Sequence, residues 1–213
     1  MKTICRFTFR NCIVKPGVIA VLLLLAPGIY SQNISLGVHT GLNFAGASIT
    51  PAQTTGSRTG IIIGGLIDIA VSNDLSLAPG LQFISKGASS TESGATSTTS
   101  LNCLEIPVLA MYKFKAGEFI PHIFAGPNFA FILSANSEVS GGGSSSSSDV
   151  SSSFSTFDMG VMFGTGSEFK LSSATGIYLD MAYSFGLSNI SKENSVSIKN
   201  NGLRVTAGMK FRF

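Results

Sequence analysis

Beyond residue 31, apolar side chains recur at every second position, the period of a β-strand with two unlike faces. The last segment sets Leu203, Val205, Ala207, Met209, Phe211 and Phe213 against Arg204, Thr206, Gly208, Lys210 and Arg212. The one before sets Ile177, Leu179, Met181, Tyr183, Phe185 and Leu187 against Tyr178, Asp180, Ala182, Ser184 and Gly186, and residues 157–171 repeat the split. Ile34 to Phe44, Ile61 to Val71, Leu77 to Phe83 and Leu104 to Phe114 follow the same rule with more noise. A further strand over residues 119–133 is apolar on both faces, so alternation leaves its register open. The pattern predicts eight strands. Glycine interrupts nearly every apolar segment, which disfavours helices.

The connections alternate between short and long. Ser72-Asn73-Asp74, Ala116-Gly117-Glu118 and Ser172-Ser173-Ala174 read as tight turns, and residues 46–57, 87–100, 135–155 and 189–200 as long polar loops. An even strand number with that alternation predicts an all-β, eight-stranded antiparallel up-and-down transmembrane β-barrel with both termini on the periplasmic side. Gly141-Gly142-Gly143 and the Ser144 to Ser148 run carry no apolar residue, and predict a mobile stretch: a solvated spacer or a variable surface patch.

Hydrocarbon offers no hydrogen-bond partner, so strands cross it only when closed into a ring. Their apolar face then meets lipid, and the polar set of Asp68, Lys86, Glu105, Asp158, Glu168, Lys170, Asp180, Arg204, Lys210 and Arg212 fills the lumen. Both signs of charge are present, so a self-neutralising plug is predicted rather than a wide aqueous pore. Glu105 is expected to pair with Arg204 or Arg212, and Pro107 to mark a bulge or edge-like irregularity. Phe44, Phe83, Tyr112, Phe114, Phe119, Phe185, Phe211 and Phe213 near strand ends predict two interfacial girdles, although the chain has no Trp. A soluble, lipocalin-like secreted barrel would invert the two faces, and alternation alone does not separate the two.

Lys2, Arg6, Arg10 and Lys15 precede an apolar run from Val18 to Leu25 and a small-residue exit from Pro27 to Ser31, the order of a cleaved secretory signal over residues 1–31. One domain over residues 32–213 is then expected, with Gln32 first. The net charge of +3 comes from that leader; without it, ten basic residues face eleven acidic ones. That balance gives no basic stripe for nucleic acid. Of the three cysteines, Cys5 and Cys12 lie in the leader, and Cys103 by itself forms no disulfide framework.

Four pieces carry a family resemblance: residues 37–44 (GVHTGLNF), 104–107 (LEIP), 121–127 (PHIFAGP) and 183–190 (YSFGLSNI). With them the chain resembles the PorT-type outer-membrane β-barrel proteins of Bacteroidota-type bacteria over essentially all of its length beyond the leader. The resemblance implies a barrel in the outer membrane, and its name-giving member is associated with protein secretion and gliding-type machinery. Phe213 looks like the C-terminal signal read by barrel-assembly machinery.

His39 and His122 are the two histidines, and with Asp158 or Asp180 they form the one constellation open to a catalytic or metal-binding reading. No H-E-x-x-H, G-x-S-x-G, paired-cysteine or Gly-rich phosphate motif accompanies them. The expectation is therefore a non-enzymatic outer-membrane anchor without cofactor that displays four loops. Outer-membrane lipid, the assembly machinery and a protein docking at loops or periplasmic turns are its partners. An accessory secretion component and the lipocalin-like binder are the alternatives.

Overall fold

The computed structural model describes residues 34–51, 55–92, 94–114, 117–142, 144–193 and 195–213; the expected leader over residues 1–31, Gln32, Ala116 and Gly143 lie outside the described residues. Nine strands follow in order: β1 (Ile34–Thr50), β2 (Arg58–Ala70), β3 (Leu75–Glu92), β4 (Ala95–Lys113), β5 (Phe119–Gly141), β6 (Ser144–Asp149), β7 (Phe157–Lys170), β8 (Thr175–Gly186) and β9 (Ser197–Arg212). All pairings are antiparallel. The order β4-β3-β2-β1-β9-β8-β7-β5 closes through β4 against β5 into a ring of eight, and β6 hangs outside the ring on β5 alone.

Alternation fixes which residues face where. Ile63 and Leu179 are 57% and 59% exposed on the outer surface, whereas Glu105 and Asp68 are 0% and 2% exposed inside. The outward run from Ile34 to Phe44 spans ten residue steps; at ~3.3 Å each and a strand tilt of about 40°, it covers about 25 Å, the height of an outer-membrane apolar band. Aromatic rings cluster at both margins of this belt. Phe131 and Phe157 lie 5.6 Å apart and Tyr183 and Phe185 4.5 Å apart near the long hairpins, while Tyr112 with Phe114 and Phe119 with Phe169 pair near the short turns.

The register of β5 depends on one irregularity. Cys103 pairs with Ile132 but its neighbour Asn102 pairs with Ser134, so Leu133 is an extra residue bulged out of the ladder. Even-numbered side chains of β5 therefore face inward up to Ile132, and odd-numbered ones from Ala135 onward. The irregularity expected at Pro107 takes a different form: the β3–β4 ladder lapses between the Pro79–Val108 and Gln82–Glu105 pairs, and the bulge itself falls on the far side of Glu105.

The long loops expected from the sequence are mostly strand. β3 and β4 pair out to Glu92–Ala95, β1 and β9 to Thr50–Ser197, and β4 and β5 to Thr96–Ser140. The segment expected to be mobile is likewise ordered, because Ser144–Asp149 pairs along its whole length with residues 136–141 of β5. Gly142, at a φ of 60° that other residues rarely adopt, makes the turn between the two. Serine supplies no apolar anchor, but the ladder is made of backbone groups and does not need one. Longer irregular stretches survive between β6 and β7 and between β8 and β9.

Candidate functional site

The polar interior is stacked in tiers along the barrel. Nearest the short turns, β2 supplies Asp68, which accepts from Lys113 Nζ at 2.6 Å and Lys210 Nζ at 2.8 Å. Lys210 also reaches Glu168 at 2.7 Å, and Arg212 pairs with the other oxygen of Glu168. These groups line a vestibule of about 310 Å³ that also touches the Ser72-Asn73-Asp74 turn.

Above this tier lies an apolar layer of Ala78, Leu109, Met111, Phe124, Met162 and Ala182, with Leu66 packed against it. Two histidine contacts flank the layer. His122 Nε2 lies 2.8 Å from Asp180 Oδ1. His39 lies 3.0 Å from the Tyr178 hydroxyl through Nδ1 and 3.0 Å from Gln82 Oε1 through Nε2. A tautomer with its hydrogen on Nε2 donates to Gln82 and accepts from Tyr178, so both ring nitrogens are satisfied.

The upper tier is centred on Glu105. Arg204 grips it with both terminal nitrogens, at 2.5 and 3.1 Å, and Lys86 Nζ lies at 2.9 Å. Gln82 and Asn128 donate to its two oxygens at 2.8 and 3.1 Å. Lys86 also bonds Asp158 at 3.1 Å, whose carboxylate accepts in addition from Ser188 Oγ at 2.8 Å and Asn200 Nδ2 at 3.0 Å. A buried carboxylate left unpaired is costly, and the two acids of this tier are matched by two bases and four neutral donors.

A lid closes the end nearest the long hairpins. Ile190, from the β8–β9 connection, is fully buried with Ile62, Ile84, Leu101, Cys103 and Ala130, and Val150, Phe154 and Ile198 pack on them. Backbone bonds from Ser155 to Ile190 and from Ile190 to Ile198 hold the lid down.

The residues singled out from the sequence thus fall into separate groups. Arg204 is the partner of Glu105, and Arg212 lies instead on Glu168. Asp68, Glu168, Lys210 and Arg212 form the lower tier, Glu105, Asp158 and Arg204 the upper one, and Asp180 stands between them on His122. His39 and His122 do not converge on one carboxylate: Asp158 is held by Lys86, Ser188 and Asn200, and His39 by neutral groups. No group of three or more His, Cys, Asp or Glu side chains among the described residues is arranged to hold a metal ion. Lys170 is exposed at the end of β7, on the rim of the vestibule that the lower tier lines. Phe213 is exposed beyond β9, its amide donating to the Ile34 carbonyl at 3.2 Å.

Sequence reading missed Lys113, Gln82 and Asn128. Lys113 shares the parity of Glu105 along β4 and was legible on that ground. Asn128 lies in the strand whose alternation the Leu133 bulge disrupts, and Gln82 is neutral, so no charge marks it out.

Residues 30–192 match the profile of the outer membrane protein beta-barrel domain family. No curated protein matches in sequence. Among solved structures, Neisserial surface protein A (NspA) is 18% identical with a TM-score of 0.52, the alignment covering 86% of this chain and all of that one. A major outer membrane protein from Thermus thermophilus (13%, TM-score 0.49, covering 86% and 100%) and the N-terminal β-barrel domain of Pseudomonas aeruginosa OprF (13%, 0.47, covering 85% and 97%) are also similar.

Proposed function

Because this chain belongs to the outer membrane protein beta-barrel domain family and is placed by its fold in the bacterial outer membrane, we propose that it is a non-enzymatic anchor that holds paired hairpins above the outer surface. The observation that carries this reading is the division of labour along the strands. Within the apolar belt the lumen is filled by two tiers of paired charges with an apolar layer between them. Beyond the belt the strands continue as a serine- and threonine-rich sheet formed by the outer ends of β3, β4 and β5 together with β6. Asp68, Glu105, Asp158 and Glu168 are each paired with lysine or arginine, which supports a structural role for them. The test is topological: a membrane-impermeant maleimide applied to intact cells labels Ser146→Cys on β6 and spares Asn73→Cys in the β2–β3 turn. Labelling of Asn73→Cys in place of Ser146→Cys overturns the orientation and the display reading with it.

The segments that resemble PorT-type barrels favour a second reading, an accessory component of protein secretion. Deleting the chain and comparing the proteins released into the medium tests it, and an unchanged secreted set rejects it. On either reading Phe213 is assigned to recognition by the barrel-assembly machinery, so Phe213→Ala lowers the amount of folded barrel recovered in the outer membrane.

A further inference from the structure

Above the lid, the outer mouth of the barrel keeps a cup of about 120 Å³ that the lumen plug does not occupy. Its base is apolar: Leu101 and Ile190 are buried, and Phe154 and Ile198 stand beside them. Its wall carries hydroxyls from the β3–β4 hairpin, among them Ser90, Ser97 and Thr99. None of the described residues lining it is charged, although Lys86 and Arg204 lie deeper in the lumen, bound to Glu105. Asn200 lines the cup as well; its Nδ2 donates to Asp158, and its buried Oδ1 receives no hydrogen bond within the protein.

These properties narrow the occupant. An ionic ligand would leave water without a counter-charge in the wall, at a cost of several kcal/mol. A purely apolar ligand would strand the hydroxyl ring and the Asn200 acceptor. A ligand with a methyl or ring face for the base, and hydroxyl or amide groups for the wall, satisfies both. We infer that this cup is a binding site for an uncharged saccharide bearing an apolar substituent, an N-acetylated sugar being the best match: its methyl packs on Phe154 and Ile190, its hydroxyls face the hairpin, and its amide N–H is a donor for Asn200. The inference rests on the outward orientation of the hairpins proposed above.

Saturation-transfer NMR on the full folded barrel in detergent tests it, with methyl N-acetylglucosaminide as probe and glucuronate as the charged control. The expected result is transfer to the N-acetyl methyl protons, little transfer to glucuronate, and at least a fivefold loss in Ala88→Phe, which fills the cup. Ala47→Phe, on β1, serves should Ala88→Phe fail the heat-dependent gel-mobility check of folding. Absence of transfer in the unmodified protein, equal transfer to both sugars, or retention in the filled variants overturns the site. Those outcomes leave the maleimide labelling of Ser146→Cys unaffected, so a failure of the cup and a failure of the display reading are told apart.

Discussion

Glu105 receives hydrogen bonds from Arg204, Lys86, Gln82 and Asn128 at once and is wholly buried. Removing its charge leaves Arg204 without a carboxylate and Lys86 with Asp158 alone. Breaking a buried pair by deleting one partner costs about 3–5 kcal/mol, more than the pair contributes over an apolar replacement. Glu105→Gln is therefore expected to lower the unfolding free energy measured in denaturant by an amount in that range. Glu105→Met combined with Arg204→Met should cost less than the two single changes added together, because the double variant leaves fewer charges uncompensated. Strict additivity would show that the two residues do not interact. The acids and most bases of this interior were legible from strand parity alone. The partners were not, because parity says that a side chain points inward but not which of seven other strands it meets. Contacts such as Lys86 with Asp158 and Arg204 with Glu105 join residues far apart in the chain.

At the scale of the strand, the same alternation sets the tolerance to substitution. Ile63 faces lipid near the middle of β2, where an arginine costs about 2–4 kcal/mol. Thr98, in the part of β4 that pairs beyond the belt, is expected to accept arginine within about 0.5 kcal/mol. Denaturant unfolding of Ile63→Arg and Thr98→Arg in the same detergent checks the contrast, and equal effects would move the upper limit of the lipid belt. Alternation was read correctly wherever apolar and polar residues differ by face. It gave way where both faces are alike: apolar in the lower part of β5, hydroxylic in the outer hairpins. Serine and threonine carry little signal of period 2, so polar strand and polar loop look the same in sequence, and backbone pairing decides between them. Hydrogen exchange makes that difference measurable. Amides of the β5–β6 ladder should exchange more slowly than that of Ser195 in the β8–β9 connection, whereas free exchange over 144–149 would restore the loop reading.

For the whole molecule, ring closure satisfies the backbone in lipid, and the lumen then decides what passes. With two charged tiers, an apolar layer and a lid in series, the barrel is expected to give no steady conductance of porin size in planar bilayers, and large stable steps would contradict the filled interior. The lid has an electrical consequence as well. Ile190 and its neighbours bar bulk electrolyte from the Glu105 tier at the long-hairpin end, whereas the Asp68 tier opens through its vestibule at the short-turn end. Mobile ions weaken a charge pair only where they can approach it, over a Debye length of about 10 Å at 0.1 M that shrinks to about 3 Å at 1 M. One barrel should thus contain one pair of charges that feels the salinity outside it and another that does not: the penalty for Asp68→Asn fades as sodium chloride is added, and the penalty for Glu105→Gln persists.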